Sequence, residues 1–265
     1  MSRALFSYPS DDVSSVDTAT LPVGTPDALF PLSNLFTDDL AQVFHTTSTS
    51  LRIVWDHGSA AVVALFALFH HNLDAGLDVR FQMHATDSWG APSFSTAVTI
   101  PAADADGYTK SPFVDLSATN PSYRYRSLYV AGTNSVGVRL GRSFFSPTKR
   151  TMPHNVSYGM EKIPVDKIVR HRTYMGVPLT YDLVGRMYRF TGQVQTDANG
   201  LTTLANWRLA ARARPHVFIP DPSVNEALYG QFVTDETPMK TTDFGVRTWP
   251  FSWQEVGKGL PLSEV

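Results

Sequence analysis

Eight histidines are the first side chains in this 265-residue sequence whose chemistry has to be placed. His70 and His71 are adjacent, so on a strand they point to opposite faces and cannot both bind one metal ion. No HExxH helix occurs, and no two histidines stand four residues apart beside a carboxylate, the spacing that sets zinc ligands on one helix face. His45 and His57 flank the segment starting at Leu51 and could meet a third ligand in space, but edge or loop positions suit them better. Asp104-Ala-Asp106-Gly107 has the opening of a calcium loop, with Asp115 twelve positions in. Tyr108 then occupies the third ligand position and Thr109 the position of the turn glycine. A polar surface turn is the preferred reading, with a calcium site built from backbone carbonyls left open.

Nucleophilic catalysis has no foothold. The sequence has no GxSxG elbow, no GxGxxG and no GxxxxGK[ST] phosphate loop, the backbone devices that expose a nucleophile or cradle phosphates. It has no cysteine, which removes disulfides, thiolate metal sites and cysteine nucleophiles. Asp38-Asp39 reads as the cap of a short helix over Leu40–Phe44 rather than as an acid/base pair. No enzyme activity and no cofactor are expected. Asn155-Val-Ser157 matches a glycosylation acceptor but carries no weight without a secretory signal.

The elements that would position these groups are mostly strands. Leu51, Ile53 and Trp55 share one face, and in Leu77–Ala85 strict alternation separates Leu77, Val79, Phe81 and Met83 from Asp78, Arg80, Gln82 and His84. Tyr123, Tyr125 and Tyr129 alternate with Arg124, Arg126, Leu128 and Val130. The tyrosine side reads as the inner face of a sandwich, with a sugar-stacking platform as the competing use. Val136, Val138 and Leu140 continue the alternation beyond Gly132–Ser135, which predicts a hairpin. The strongest apolar run, Ala60–Phe69, is ten residues long. It is too short to cross about 30 Å of hydrocarbon as a helix, so it reads as a buried strand, with a short core helix as competitor. Residues 8–35, punctuated by Pro22, Pro26 and Pro31, read as an extended lead-in.

A boundary is expected near Ser146–Pro153, where proline meets basic residues. Beyond it Met187–Val194, His216–Ile219, Tyr229–Val233 and the Trp249/Phe251/Trp253 segment read as strands. Leu201–Ala213 reads as the one helix, on Leu201, Leu204, Ala205, Arg208 and Ala211, ended by Pro215. The fold class is therefore mainly β: an antiparallel jelly-roll sandwich, then a second β-rich domain with one packing helix.

Twenty-two basic and twenty-four acidic residues leave a formal charge of −2, which argues against a nucleic-acid partner. Arg170, Arg172, Arg186, Arg189, Arg208, Arg212 and Arg214 then read as makers of subunit contacts. Charged residues are scarce at 17% and aromatics frequent at 12%, which suits a surface covered by partners. The first fifteen residues lack the apolar core and cleavage site of a secretory signal, so a soluble protein made and assembled inside the cell is expected.

Pro31-Leu-Ser-Asn-Leu-Phe, Val43-Phe-His-Thr, Leu51-Arg-Ile-Val-Trp-Asp-His-Gly and Val62–Asn72, in that order, resemble the galactose-binding-like, discoidin-type jelly roll of tailed-bacteriophage tail proteins. The resemblance runs over residues 29–147. From 185 to 256, Gly185-Arg-Met-Tyr-Arg-Phe, the helix, Val217-Phe-Ile-Pro-Asp-Pro, Leu228-Tyr-Gly and Phe251-Ser-Trp-Gln-Glu-Val are similar to the C-terminal part of such proteins. It implies three parts: an extended arm at 1–28 that clamps a neighbour, the jelly roll at 29–147, and an assembly domain at 148–265 for which a tail-tube-like fold is one option. It further implies a virion protein of the phage tail tip or baseplate, assembled in the bacterial cytoplasm as a homo-oligomeric ring. Its partners would be the tail tube, the hub and the receptor-binding fibres, without membrane insertion. Galactose-binding-like sandwiches also imply an alternative, a carbohydrate-binding module for a cell-surface glycan, with Trp89, Tyr108 and Tyr123 as stacking faces.

Overall fold

The apolar run around Leu65 organises the molecule, because both of its faces are covered. The computed structural model describes residues 3–14, 17–38, 40, 42–105, 107, 109–152, 161–165, 168–172, 178–182, 187–196, 198–211, 214–232, 240–241 and 247–255. Its strands are β1 (Leu5–Phe6), β2 (Thr18–Val23), β3 (Phe44–His45), β4 (Leu51–Val62), β5 (Leu65–His71), β6 (Val79–His84), β7 (Phe94–Ala97), β8 (Phe113–Asp115), β9 (Ser122–Val130), β10 (Arg139–Ser146), β11 (Arg150–Thr151), β12 (Glu161–Val165), β13 (Ile168–Arg172), β14 (Pro178–Asp182), β15 (Met187–Thr196), β16 (His216–Ile219), β17 (Leu228–Phe232), β18 (Lys240–Thr241) and β19 (Arg247–Glu255). The α-helix α1 (Ala198–Ala211) follows β15. The chain is mainly β, with every strand pairing antiparallel.

A five-stranded sheet, β2-β4-β9-β6-β7, faces a four-stranded one, β3-β10-β5-β8. Ile53 and Trp55 of β4, Phe81 and Met83 of β6, and Leu128 and Val130 of β9 meet Phe66, Leu68 and Phe145 from the opposing sheet in one fully buried core. The other face of the four-stranded sheet is buried too. Leu65, Ala67, Phe69 and Phe144 pack against Leu5, Val217, Ile219 and Tyr229 of a third sheet, which runs β11-β1-β16-β17-β19-β15-β12 with β18 on β19. The far side of that third sheet packs Phe6, Phe218, Leu228 and Trp253 against Leu204 and Trp207 of α1. The layers are thus sheet, sheet, sheet, helix. A strand between two cores has no polar face, so Ala60–Phe69 shows no alternation. The run divides between the end of β4 and β5 at Val63-Ala64.

Four expectations change. The Tyr123–Leu140 hairpin does not form, because β9 lies in the five-stranded sheet and β10 in the four-stranded one. The connection between them closes the sandwich instead, since Asn134 and Ser135 bond to other loops at that end: Asn134 to the carbonyl of Asn72, and Ser135 to the Asp74 carboxylate. The inner face of β9 is the Arg126/Leu128/Val130 side, while Tyr125 and Tyr129 lie on the outer side, half-buried. Phe44 begins a strand rather than ending a helix, and Asp38 pairs with Arg142 and accepts from the Tyr229 hydroxyl instead of capping. In α1, among the side chains described, Gly200, Leu204 and Trp207 are buried and Ala205 is exposed, while Leu201 and Ala211 lie outside the described side chains.

The N-terminal residues are built into their own chain. Leu5 and Phe6 pair with β11 on one side and β16 on the other, and Thr18–Val23 pairs with β4 through a register shift. The Ser7 amide donates to the Val217 carbonyl, and the Ser7 hydroxyl accepts from the Val217 amide.

Candidate functional site

Among the described residues, the outer face of the five-stranded sheet carries the sugar-stacking candidate whose surroundings form a built site. Cross-strand register places Arg52, Tyr129 and Arg80 in one row, Val54, Ser127 and Gln82 in the next, and Asp56, Tyr125 and His84 in a third. Arg52 is buried although it points away from the core. Its Nη1 donates to Gln82 Oε1 at 2.8 Å, and its guanidinium carbon lies 4.1 Å from the Tyr129 ring centre. Trp89, from the loop between β6 and β7, covers it from above at 5.2 Å. Arginine between two aromatic rings is a favourable, partly desolvated cation–π arrangement. Burial lowers the Arg52 pKa from its usual value, opposed by Tyr129 and Asp87.

Trp89 is fixed at both ends and half-buried. Its indole N–H donates to Asp87 Oδ1 at 2.7 Å, and its ring lies 6.5 Å from that of His84. The tautomer of His84 follows from its neighbours. The Ser93 amide donates to Nδ1 at 3.1 Å, so the neutral ring carries its proton on Nε2 and offers a donor beside the indole. An aromatic plane, an N–H donor and the exposed Asp87 carboxylate therefore lie together on an outward face. A pyranose presents the matching chemistry, with an apolar C–H face flanked by hydroxyls. Fixing the ring beforehand removes part of the ordering cost of binding.

Tyr123 lies elsewhere on β9, half-buried and packed against the sandwich core, and is not a ring partner of Trp89. Tyr108 and Asp106 lie outside the described residues, as does Asn155-Val-Ser157. Sequence reasoning missed Arg52, Asp87 and His84. The strict alternation of 77–85 marked His84 as outward, but nothing in the pattern marked Arg52 as covered.

The other candidates have structural partners. His45 Nδ1 pairs with Asp27 at 3.1 Å and His57 Nδ1 with Asp17 at 2.7 Å, so the two lie in separate clusters. Among the described residues no group of three or more metal-ligating side chains gathers. His71 accepts from the Leu73 amide at Nδ1 and donates from Nε2 to the Lys110 carbonyl. Burial lowers its pKa to about 4. His70, at φ 56, bonds the Leu40 carbonyl through Nδ1. Of the C-terminal arginines, Arg189 donates to Gln254 Oε1 at 3.1 Å.

No protein-family description matches the chain, and no curated protein matches it. Solved structures similar to part of it include a chitosan-binding module from a chitosanase/glucanase of Paenibacillus sp. IK-5, with 19% identity and a TM-score of 0.38 over 51% of this chain and 98% of that one. A Streptococcus pneumoniae fucose binding module gives 12% and 0.41 over 54% and 100%. The family 32 carbohydrate-binding module of C. perfringens NanJ, solved with galactose, gives 9% and 0.39 over 51% and 97%.

Proposed function

We propose that the chain is a non-enzymatic glycan-binding protein whose sugar site is the outer face of the five-stranded sheet. The observation that carries the reading is Trp89, held half-buried over Arg52 with its indole N–H on Asp87 and the His84 donor alongside. Trp89 supplies the stacking plane, while His84 and Asp87 orient the hydroxyls. A glycan array probed with the wild type and with Trp89→Ala tests it. Binding in the wild type that falls at least tenfold in the variant, about 1.4 kcal/mol, is the expected outcome. A blank array, or equal binding by the two proteins, overturns the reading. Trp89→Phe, which keeps a ring over Arg52, separates lost stacking from lost packing.

A second reading rests on a different observation. The four-stranded sheet is buried on both faces, so the sandwich is joined to the third sheet as one building block. The ribbon β13-β14 pairs only with itself among the described residues, and a two-stranded ribbon is marginal until it packs on something. Both features suit a subunit of a larger particle. In this reading the chain is a tail-tip or baseplate component of a bacteriophage, ring-forming and joined to tube, hub and fibres, with the Trp89 face turned to the host surface. Immunogold labelling of phage lysate tests it: gold at the distal end of tails supports the assembly role, and bare tails beside labelled free protein discard it.

A further inference from the structure

Arg126 is fully buried on the core face of β9, directly across from Trp55 on β4. Its Nη1 donates to Asp17 Oδ2 at 2.8 Å. Its Nε and Nη2, the two parallel donors on the other edge of the guanidinium, have no protein partner among the described residues. Elsewhere in the chain that same edge grips a carboxylate with both donors: Arg80 on Asp78, Arg124 on Asp56 and Arg150 on Asp11. Trp55 Nε1, Ser143 Oγ and Ser14 Oγ are likewise buried without a partner among the described residues. One ring ties the set together. Phe145 lies 5.1 Å from the Arg126 guanidinium and 5.0 Å from the Trp55 ring. Ser143 shares its face of β10, paired with the core residue Leu68, and the Phe145 carbonyl accepts from Val13, next to Ser14.

Leaving a buried donor unmatched costs about 1–3 kcal/mol, more for a charged group. Three of these five groups, Arg126 Nε and Nη2 and Trp55 Nε1, can only donate. The charges point the same way. Arg126 and His57 both lean on the single carboxylate of Asp17, and the nearby Asp12 is taken by Arg142. The Nε/Nη2 edge of Arg126 is thus left facing no carboxylate among the described residues. We infer that the Nε/Nη2 edge of Arg126, with the Trp55 indole N–H, forms an internal binding site for a small monatomic anion, chloride in the first instance. The site lies on the inner face of the sheet, while the proposed sugar site is on its outer face, so the two stand or fall separately.

Bromide is the probe. Crystals of the full chain grown in sodium bromide should show an anomalous peak within hydrogen-bond reach of Arg126 Nε and Nη2, absent in Arg126→Lys, which can keep the Asp17 pair but not the two-donor edge. In solution, exchanging gluconate for chloride at constant ionic strength should raise the melting temperature by about 2–4 °C. If Arg126→Lys does not fold, Trp55→Phe removes one donor without touching charge and should reduce the chloride effect. An ordered water with no anomalous signal, or identical melting in the two salts, overturns the proposal.

Discussion

His71 and His216 are both buried and both held neutral, at pKa values lowered by desolvation to about 4 and about 3. His216 accepts the Trp253 indole N–H at Nε2, at 3.1 Å. An unfolded histidine protonates near pH 6.5. Below that value the unfolded chain takes up protons that the folded chain refuses, so these residues' contribution to stability is complete above pH 6.5 and lost as pH falls towards 4. The slope is about 1.4 kcal/mol per pH unit per histidine. Burial pushes the Asp17 carboxyl up despite Arg126 and His57, which acts in the opposite sense over the lower part of that range. Urea melts at pH 7, 5.5 and 4.5 should show falling midpoints, with a shallower fall in His71→Gln; a flat wild-type profile would contradict the neutral assignment. The sequence displayed these histidines but not their partners. His71 needs the Lys110 carbonyl, thirty-nine residues away, and no local pattern carries that distance.

Among the elements, the strands themselves were readable, from alternation or from an unbroken apolar run, but which face lies inside was not. β4 and β6 announced themselves by alternation, and β16, β17 and β19 lie where β propensity put them. Alternation divides a strand into two sides without saying which is inside. For β9 the tyrosine side had the greater apolar bulk, yet the inner side is the one with Arg126, made tolerable there by Asp17 from the N-terminal segment. The hairpin was misjudged because a short polar loop serves a turn and a sheet crossing equally well. β1 shows how much a short element can hold: two residues fill the gap between β11 and β16 and bury Leu5 on one side and Phe6 on the other. Removing residues 1–9 should therefore lower stability by several kcal/mol, since loss of a large buried side chain alone costs about 2–5. Chemical denaturation of the truncated chain checks this, and an unchanged midpoint would show β1 to be dispensable. At Gly230 on β17 an added Cβ would stand 2.0 Å from the Gln254 carbonyl oxygen. Gly230→Val should abolish soluble expression by forcing β17 off β19.

At the scale of the whole molecule, the interface between the four-stranded sheet and the third sheet sets the behaviour. Phe69 and Tyr229 rings meet there at 5.1 Å, and Arg142 lies over the Tyr229 ring while bonding Asp12 and Asp38. An apolar interface edged by the buried Arg142–Asp12 pair couples the two halves, so calorimetry should show one unfolding transition rather than two. Two resolved transitions would mean the halves are independent. A fragment ending at residue 152 would strip Val217, Ile219 and Tyr229 from Leu65, Ala67, Phe69 and Phe144, and should bind a hydrophobic dye where the full chain does not.

The pairing of β1 with both β11 and β16 also fixes an order of events in the cell. Strand Leu5–Phe6 leaves the ribosome more than two hundred residues ahead of one of its two partners, Phe218-Ile219. At about 5–20 residues per second it waits roughly ten to forty seconds for that neighbour, while the sandwich behind it can already close. During that interval the apolar face of β5 has no cover of its own. Nascent chains stalled at residue 200 should be clipped by protease within the first twelve residues, and chains released at full length should resist.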